Sequence, residues 1–132
     1  MTYHLQIVTP DGQRFDGQAE RIIVPTIQGP VGILARHINY VTALGMGQAK
    51  VVTEEGERLA ACMGGMVAGT DGDVKVLSTT FEWAEDIDVP RAEASLARAE
   101  AMLADADADD QAKQYANARK KRALVRLSIA KK

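Results

Sequence analysis

The chain is poor in the residues that carry most catalytic and redox chemistry. Its 132 residues include one cysteine, Cys62, and two histidines, His4 and His37. A lone cysteine cannot form an internal disulfide, which is typical of a protein from a reducing compartment. Because Cys62 lies in an apolar segment without a nearby histidine, we expect a buried small side chain and not a nucleophile. The histidines have no neighbours at metal-ligand spacing, so no metal site is predicted.

Long apolar runs are also absent. No segment approaches the roughly 20 apolar residues that a membrane-spanning helix needs, and no signal or transit peptide precedes Tyr3. We therefore expect a soluble protein that remains in the compartment where it is made and does not insert into a membrane.

Negative charge is missing from the last part of the chain. The formal net charge is −2, which argues against general nucleic-acid binding. No acidic residue follows Asp110, but the basic residues in that segment are Lys113, Arg119, Lys120, Lys121, Arg122, Arg126, Lys131 and Lys132. Such a one-sided segment fits an acidic partner surface, a polyanionic ligand or plain solvent.

The first part of the chain carries the signals of a small β-protein. Short apolar or alternating segments follow one another between turn sequences such as Thr9-Pro10-Asp11-Gly12 and Glu54-Glu55-Gly56. They predict about nine to ten strands, with a turn at Gly45-Met46-Gly47, a loop over 28–32 and Pro25 at an edge or a bulge. This pattern is typical of an antiparallel β-sandwich or flattened barrel.

The last part of the chain predicts an antiparallel pair of helices. Asp88 is a suitable N-cap, and apolar residues then recur at spacings of four, three and four over 92–103. An acidic Ala/Asp connector offers Asp109 or Asp110 as the next N-cap. The second helix should run over about 111–128.

These two patterns divide the chain into two domains. We expect a β-sandwich over 1–85 and a two-helix antiparallel hairpin over 86–132. The fold class is therefore α+β, mainly β. The sequence contains no internal repeat with a period of about 20 to 50 residues, so a repeat architecture is not predicted.

No motif typical of an enzyme is present. Gly64-Gly65 lacks the following lysine and hydroxyl residue of a phosphate-binding loop. His37 follows Arg36 in a polar segment, where bracing a loop is favoured over general-base chemistry. Asp86 and Asp88 stand at a helix start, where capping explains them better than acid–base catalysis. A small enzyme is the weakest interpretation.

An arginine-rich stripe runs along one face of each predicted helix. Its members, spaced by three or four residues, are Asp88, Arg91, Ser95 and Arg98 on the first helix and Tyr115, Arg119, Arg122 and Arg126 on the second. One interpretation is a solvated face whose long side chains shield the helix seam. The other is a polyphosphate site, formed by Arg91, Arg98, Arg122 and Arg126. Spacing alone favours the solvated face.

Four motifs carry a family resemblance. They are Gly29-x-x-Gly32-Ile33-Leu34-x-x-His37, Gly64-Gly65, Ala84-Glu85-Asp86-Ile87-Asp88-x-x-Arg91-Ala92 and Arg122-Ala123-x-x-Arg126-Leu127-Ser128. In this order and spacing they resemble the ε subunit of bacterial F-type ATP synthase, over nearly the whole chain. The resemblance implies a β-sandwich followed by a helical hairpin. It also implies a non-catalytic rotor subunit of the central stalk that couples proton translocation to rotary ATP synthesis.

The resemblance implies several partners and a location. The sandwich would dock on the γ subunit and the ring of c subunits through a docking segment, formed by Gly29, Pro30, Val31, Gly32 and His37. The mobile hairpin would inhibit ATP hydrolysis by extending to the catalytic α and β subunits, with contacts to β from Arg119, Lys120, Arg122 and Arg126. The implied place is the cytoplasmic face of the bacterial plasma membrane, as a peripheral subunit.

Some members of this family bind ATP as a regulatory ligand, and we expect this chain to require no cofactor. Carried over to this chain, the implied ATP-binding residues are Glu82, Asp88, Arg91, Ala92, Arg98, Arg122 and Arg126. Tyr115 stands where ATP-binding members can have an arginine, so a roughly ten- to hundredfold weaker affinity is expected. Pro30 and Arg36 depart from the family pattern in the docking segment, which weakens the inference of single polar contacts there.

An alternative of a different class is a free-standing nucleotide-sensing adaptor without rotor attachment. Both interpretations use the same arginine-rich stripe. They differ in partners, because only a rotor subunit should purify together with γ and c subunits.

Overall fold

The computed structural model describes residues 2–34, 40–70 and 72–130 of the chain. Its elements are β1 (Tyr3–Thr9), β2 (Gly12–Ala19), β3 (Arg21–Thr26), β4 (Gly29–Leu34), β5 (Tyr40–Thr53), β6 (Gly56–Thr70), β7 (Asp73–Ser78), β8 (Phe81–Trp83), a 3-10 turn (Ala84–Asp86), α1 (Val89–Ala104) and α2 (Asp110–Ala130). They form two compact units, Met1–Trp83 and Ala84–Lys132, called the body and the helical hairpin below.

The strands of the body form one sheet that folds over on itself. The strand order is β2-β1-β7-β6-β5-β3-β4, with β8 paired to β6. All neighbours are antiparallel except β1 and β7, which run parallel. Tyr3 on β1 and Ile33 on β4 nevertheless belong to the same buried core. The two ends of the sheet therefore face each other across that core, and the predicted β-sandwich is confirmed.

The core of the body follows from alternation along the strands. On β1, Tyr3, Leu5 and Ile7 are buried, and the residues between them are not. This alternation is expected because successive side chains of a strand point to opposite faces. Around Trp83, the Phe81 ring packs edge-on with a centroid distance of 5.2 Å. Apolar burial of this kind is the main stabilising term for a domain of this size.

The turn predicted at Gly45-Met46-Gly47 is wrong, and the body has eight strands within the described ranges. β5 continues through these residues and stays in register with β6 along its length. The glycines are needed for another reason: a Cβ added to Gly47 would lie 3.0 Å from the Cβ of Pro25. Opposite Pro25, the pairing of β3 with β5 shifts register, which confirms the predicted bulge. The glycines therefore mark a close approach of strands.

The helical hairpin is capped as its sequence predicts. The Asp88 side chain accepts a hydrogen bond from the Arg91 backbone N–H at 3.1 Å, and Asp109 does the same for Ala112 at 2.7 Å. The buried residues of the two helices are mainly small, namely Ala92 and Ala99 on α1 and Ala116, Ala123, Leu127 and Ile129 on α2. Leu124, which the apolar spacing places in the seam, is instead 47% exposed.

Among the described helices, none is long and apolar enough to cross a membrane.

Candidate functional site

Two of the predicted ATP-binding residues also serve the helix itself. Asp88 uses one carboxylate oxygen to cap α1, and Ala92 is buried in the hairpin seam. Arg91 supplies the backbone N–H that Asp88 accepts, and the Arg91 side chain is exposed. Glu82 belongs to the body, where β8 places it opposite Ala61 of β6. The start of α1 is therefore stabilised by the Asp88 cap and by the burial of Ala92.

The predicted arginines occupy both helices of the hairpin. Arg91 and Arg98 are exposed on α1, and Arg119, Arg122 and Arg126 are partly buried on α2. Because helical neighbours recur every three or four residues, the three arginines of α2 lie on one face. The Lys120 side chain, also predicted to contact a partner, is partly buried one position further round the helix. The structure thus keeps the arginine-rich stripe as two rows, one on each helix.

A groove of about 610 Å³ opens between α1 and α2 near the connector. This connector groove is lined mainly by Arg98, Ala99 and Met102 from α1 and by Ala112, Tyr115 and Arg119 from α2. The Arg119 guanidinium carbon lies 5.8 Å from the centroid of the Tyr115 ring, within the range of a cation–π contact. The volume is within the roughly 300–1,000 Å³ of small-molecule sites in proteins.

The connector groove changes the roles expected for two residues. From the sequence, Arg119 is predicted to contact a partner subunit. Tyr115 is predicted to lack the phosphate contact that an arginine makes at this position in ATP-binding family members. The structure brings both into one groove with Arg98, a predicted ATP-binding residue. The four-residue spacing of Tyr115 and Arg119 predicts that they lie together on one face of α2. It does not predict that a groove forms there.

The predicted docking segment is not a loop. Gly29, Pro30, Val31 and Gly32 form the first part of β4, which pairs with β3 in regular register. The turn is shorter than predicted and consists of two residues, Ile27 and Gln28, both exposed. The strand can begin at Gly29 because this residue adopts φ 110°, a conformation that favours glycine. His37, the remaining residue of this prediction, lies outside the described residues.

An exposed apolar row crosses the outer face of the body, and sequence reasoning missed it. Val8 on β1 lies opposite Leu77 on β7, Leu77 lies opposite Met66 on β6, and Met66 lies opposite Ala43 on β5. Leu77 and Met66 are each 43% exposed, and Val41, on the same face of β5, is 63% exposed. The row depends on the parallel pairing of β1 with β7, which no local pattern predicts.

A charged cluster on the body was also missed. His4 Nε2 lies 2.5 Å from Asp16 Oδ1, and His4 Nδ1 lies 3.2 Å from Asp73 Oδ1. Hydrogen bonding to Asp16, and less strongly to Asp73, raises the pKa of His4 above its ordinary 6.5. Protonated His4 thus links three strands, because Asp16 is on β2 and Asp73 is on β7.

The described residues contain no group of side chains that could hold a metal ion. Cys62 is fully buried, with its Sγ 3.6 Å from Ser78 Oγ. Burial raises the pKa of the Cys62 thiol, so the thiol stays protonated and unreactive. This confirms the expected role of Cys62 as a small core residue.

Comparisons with known proteins match this two-part organisation. Residues 2–84 match the family model of the ATP synthase delta/epsilon chain β-sandwich domain, and residues 85–131 match the long α-helix domain of the same family. An ATP synthase epsilon chain from Exiguobacterium sp. is 39% identical over 97% of this chain and 95% of its own length. An ATP synthase epsilon chain from Ruminococcus albus is 38% identical over 98% of this chain and 97% of its own length.

Solved structures share the fold. A chain in the Euglena gracilis mitochondrial ATP synthase structure, OSCP/F1/c-ring, has a TM-score of 0.81 with 22% identity, covering 97% of this chain and 80% of that one. A chain in the central stalk/c-ring structure of the Tetrahymena thermophila mitochondrial ATP synthase has a TM-score of 0.60 with 17% identity. The match covers 96% of this chain and 95% of that one. The family models and the full-length relatives decide the assignment: the chain belongs to the ATP synthase epsilon chain family.

Proposed function

We propose that the chain couples proton translocation to rotary ATP synthesis by docking through its body and regulating through its helical hairpin. As an epsilon chain it is a non-catalytic subunit of the ATP synthase stalk. The free-standing adaptor is not supported, because the chain aligns with epsilon chains over nearly its full length and shares its fold with chains of stalk and c-ring structures. The observation that carries the docking role is the exposed apolar row on the body.

The exposed apolar row suits a stable contact with another subunit. Soluble proteins seldom expose contiguous apolar side chains without a partner, and here they come from four adjacent strands. The γ subunit is the partner for this row, and the c-ring is the partner for the tip of the β3–β4 β-hairpin. That tip exposes Ile27 and Gln28 on its two-residue turn and Pro30 at the start of β4. In both cases the backbone is already paired within the sheet, so docking needs no folding.

Co-purification tests the docking role. A tagged chain should bring down γ and c subunits, and the paired change Met66→Asp with Leu77→Asp should abolish this, because two charges would enter an apolar contact. Leu124→Asp in the helical hairpin is the matched control, since Leu124 is similarly exposed at 47%. Full recovery of γ with the changed body would contradict docking through the row.

The helical hairpin is the inhibitory element. Its second helix carries no acidic residue after Asp110, so an acidic surface of the β subunit would attract it. The seam is built largely from alanines, which bury little area each, and short helices are marginal alone. A modest difference in free energy can therefore shift the hairpin between two positions. Arg119, Lys120, Arg122 and Arg126 are its contact residues to β.

ATP is the regulatory ligand of the folded hairpin. The supporting observation is that Arg91, Arg98, Arg122 and Arg126 keep helical spacing on α1 and α2, and Asp88 and Ala92 order the start of α1. Charge-assisted hydrogen bonds from guanidinium groups are well suited to phosphate oxygens. Small-angle scattering of the full chain should show compaction at millimolar ATP. An unchanged radius of gyration would contradict this regulation.

The subunit is proposed to lie peripherally at the cytoplasmic face of the plasma membrane, held there by its partners. Its relatives from Exiguobacterium and Ruminococcus are bacterial epsilon chains, which supports this location. Membrane fractionation should find the chain with membranes that contain γ and c subunits. Retention on membranes that lack both subunits would contradict it.

A further inference from the structure

The outer face of the body has a charged side next to the exposed apolar row. Along β1, His4, Gln6 and Val8 alternate with buried residues and therefore share this face. His4 and Val8 are four positions apart, so about 13 Å of strand separates His4 from the row. A docking surface of standard size covers about 800 Å² of each partner, and one centred on the row extends that far. The charged cluster of His4, Asp16 and Asp73, called the His4 cluster below, thus lies at the rim of the docking surface.

Two carboxylates share one imidazole in the His4 cluster. His4 pairs with Asp16 through Nε2 and with Asp73 through Nδ1. Even when His4 is protonated, the three side chains together keep one unit of negative charge. They are well exposed in the free chain, where water solvates this charge. A partner that covers the rim removes the water, and a charge without a counter-ion is then costly.

The strands on either side of β1 bring two cations to the neighbourhood. Arg14 on β2 donates a hydrogen bond from Nε to the Phe81 carbonyl oxygen, on β8. Lys75 on β7 is exposed and lies opposite Gln6, to one side of the His4 cluster. Within the described parts of β2 and β7, the charged groups facing His4 are therefore its two aspartates and Lys75. The sequence over 1–83 has nine acidic and six basic residues, so a basic partner surface is complementary to the body.

Resting on the docking role proposed for the body, we infer that the His4 cluster receives a cationic side chain of the γ subunit and that His4 releases its proton to solvent when γ docks. A lysine or arginine of γ replaces the imidazolium as the counter-ion of both carboxylates. The new cation disfavours a second positive charge beside it, so the pKa of His4, raised in the free chain, falls in the docked chain. Docking and deprotonation of His4 therefore favour each other.

This linkage fixes how docking depends on pH. Below the pKa of His4 in the docked chain, the free and docked chains both hold the proton, and the affinity is constant. Between that value and the raised pKa of the free chain, docking releases a proton, and the affinity rises by up to about tenfold per pH unit. Above the raised pKa, His4 is neutral in both states, and the affinity is constant again.

Calorimetric titration of the full chain into a stalk complex prepared without it tests the inference. The wild type should bind about tenfold more tightly at pH 8 than at pH 6. Repeating the titration in buffers of different ionisation enthalpy should show that docking releases a proton. His4→Gln should bind with the same affinity at both pH values and release no proton.

Three control variants separate the His4 cluster from the rest of the docking surface. His37→Gln changes the other histidine of the chain and should retain the pH dependence. Lys75→Gln removes the neighbouring cation and should also retain it. Leu77→Ala shortens a side chain of the exposed apolar row, so it should weaken docking by the same factor at both pH values. Circular dichroism checks that each variant is folded.

The possible failures are distinguishable. If the wild type docks with equal affinity at pH 6 and pH 8, or more tightly at pH 6, the inference is overturned and docking through the apolar row still stands. Retention of the pH dependence in His4→Gln would also overturn it, because the proton would then come from another group. If the wild type does not dock at either pH, the docking role itself is overturned, and the inference with it.

Discussion

The Tyr3 hydroxyl donates a hydrogen bond to the Ile33 carbonyl oxygen at 2.8 Å. Tyr3 is on β1, near one end of the strand order, and Ile33 is on β4, at the other end. The bond therefore closes the folded sheet across its two layers. It is buried, and both residues belong to the core of the body.

Tyr3→Phe should destabilise the body without changing its fold. The substitution keeps the ring and removes the donor, so we expect a loss of about 1 kcal/mol, rising to about 3 if the carbonyl is left without a partner. Urea unfolding of the full chain measures the change. The midpoint should fall while the slope stays the same, because the surface exposed on unfolding is unaltered. An unchanged midpoint would show that this bond does not contribute to closing the sheet.

Gly65→Ala should be far more damaging than Gly12→Ala. Both glycines have positive φ, +118° and +132°, so both substitutions introduce backbone strain of about 1–3 kcal/mol. A Cβ at Gly65 would also lie 2.0 Å from the Leu77 carbonyl oxygen, whereas a Cβ at Gly12 meets nothing within 4 Å. Thermal unfolding compares them. Equal melting temperatures for the two variants would contradict the close approach of β6 to β7.

Stability of the body should depend on pH through His4. Because the pKa of His4 is raised in the folded protein, protonated His4 stabilises the fold. Its contribution is fully present below about pH 6.5, the ordinary value for histidine, and is lost as the pH rises through the raised pKa. Unfolding of the wild type and His4→Gln between pH 5 and pH 8 should therefore differ most at the acidic end.

Salt provides a control for the His4 effect. His4 and its two carboxylate partners are well exposed, so the interaction is screened by salt. In high salt the difference between wild type and His4→Gln should shrink at every pH. A difference in stability that grows with pH would contradict a raised pKa of His4 in the folded body.

Deleting the chain after Asp88 should leave assembly intact and raise ATP hydrolysis by the complex. The deletion removes both helices, α1 and α2, but keeps the body, with its exposed apolar row and β3–β4 β-hairpin. Assembly is checked by co-purification of γ, and hydrolysis by a steady-state ATPase assay. Full-length chain with Arg122→Glu and Arg126→Glu should also raise hydrolysis, since repulsion replaces attraction to an acidic surface. Unchanged hydrolysis in both variants would contradict inhibition by the hairpin.

Local chemistry alone predicts several of these features. The caps at Asp88 and Asp109 depend on side chains within three residues of the N–H groups that they bind. The Glu54-Glu55-Gly56 turn depends on a glycine with φ +128°. These interactions are short in sequence, so the residues that form them are visible as a pattern. Apolar spacing along α2 does not by itself show which side the partner helix covers, and Leu124 is 47% exposed.

The sequence by itself determined the two-part organisation, the helix starts and the one-sided charge of α2, because these follow from neighbouring residues and their periodicity. Only the tertiary structure decided the rest. The continuity of β5 through its glycines, the apolar row across four strands and the link from His4 to Asp16 and Asp73 require knowing which strands pair. The connector groove likewise requires the register of α1 against α2. Pairing and register are set by contacts between residues distant in sequence, and their free energies depend on packing that no local pattern contains.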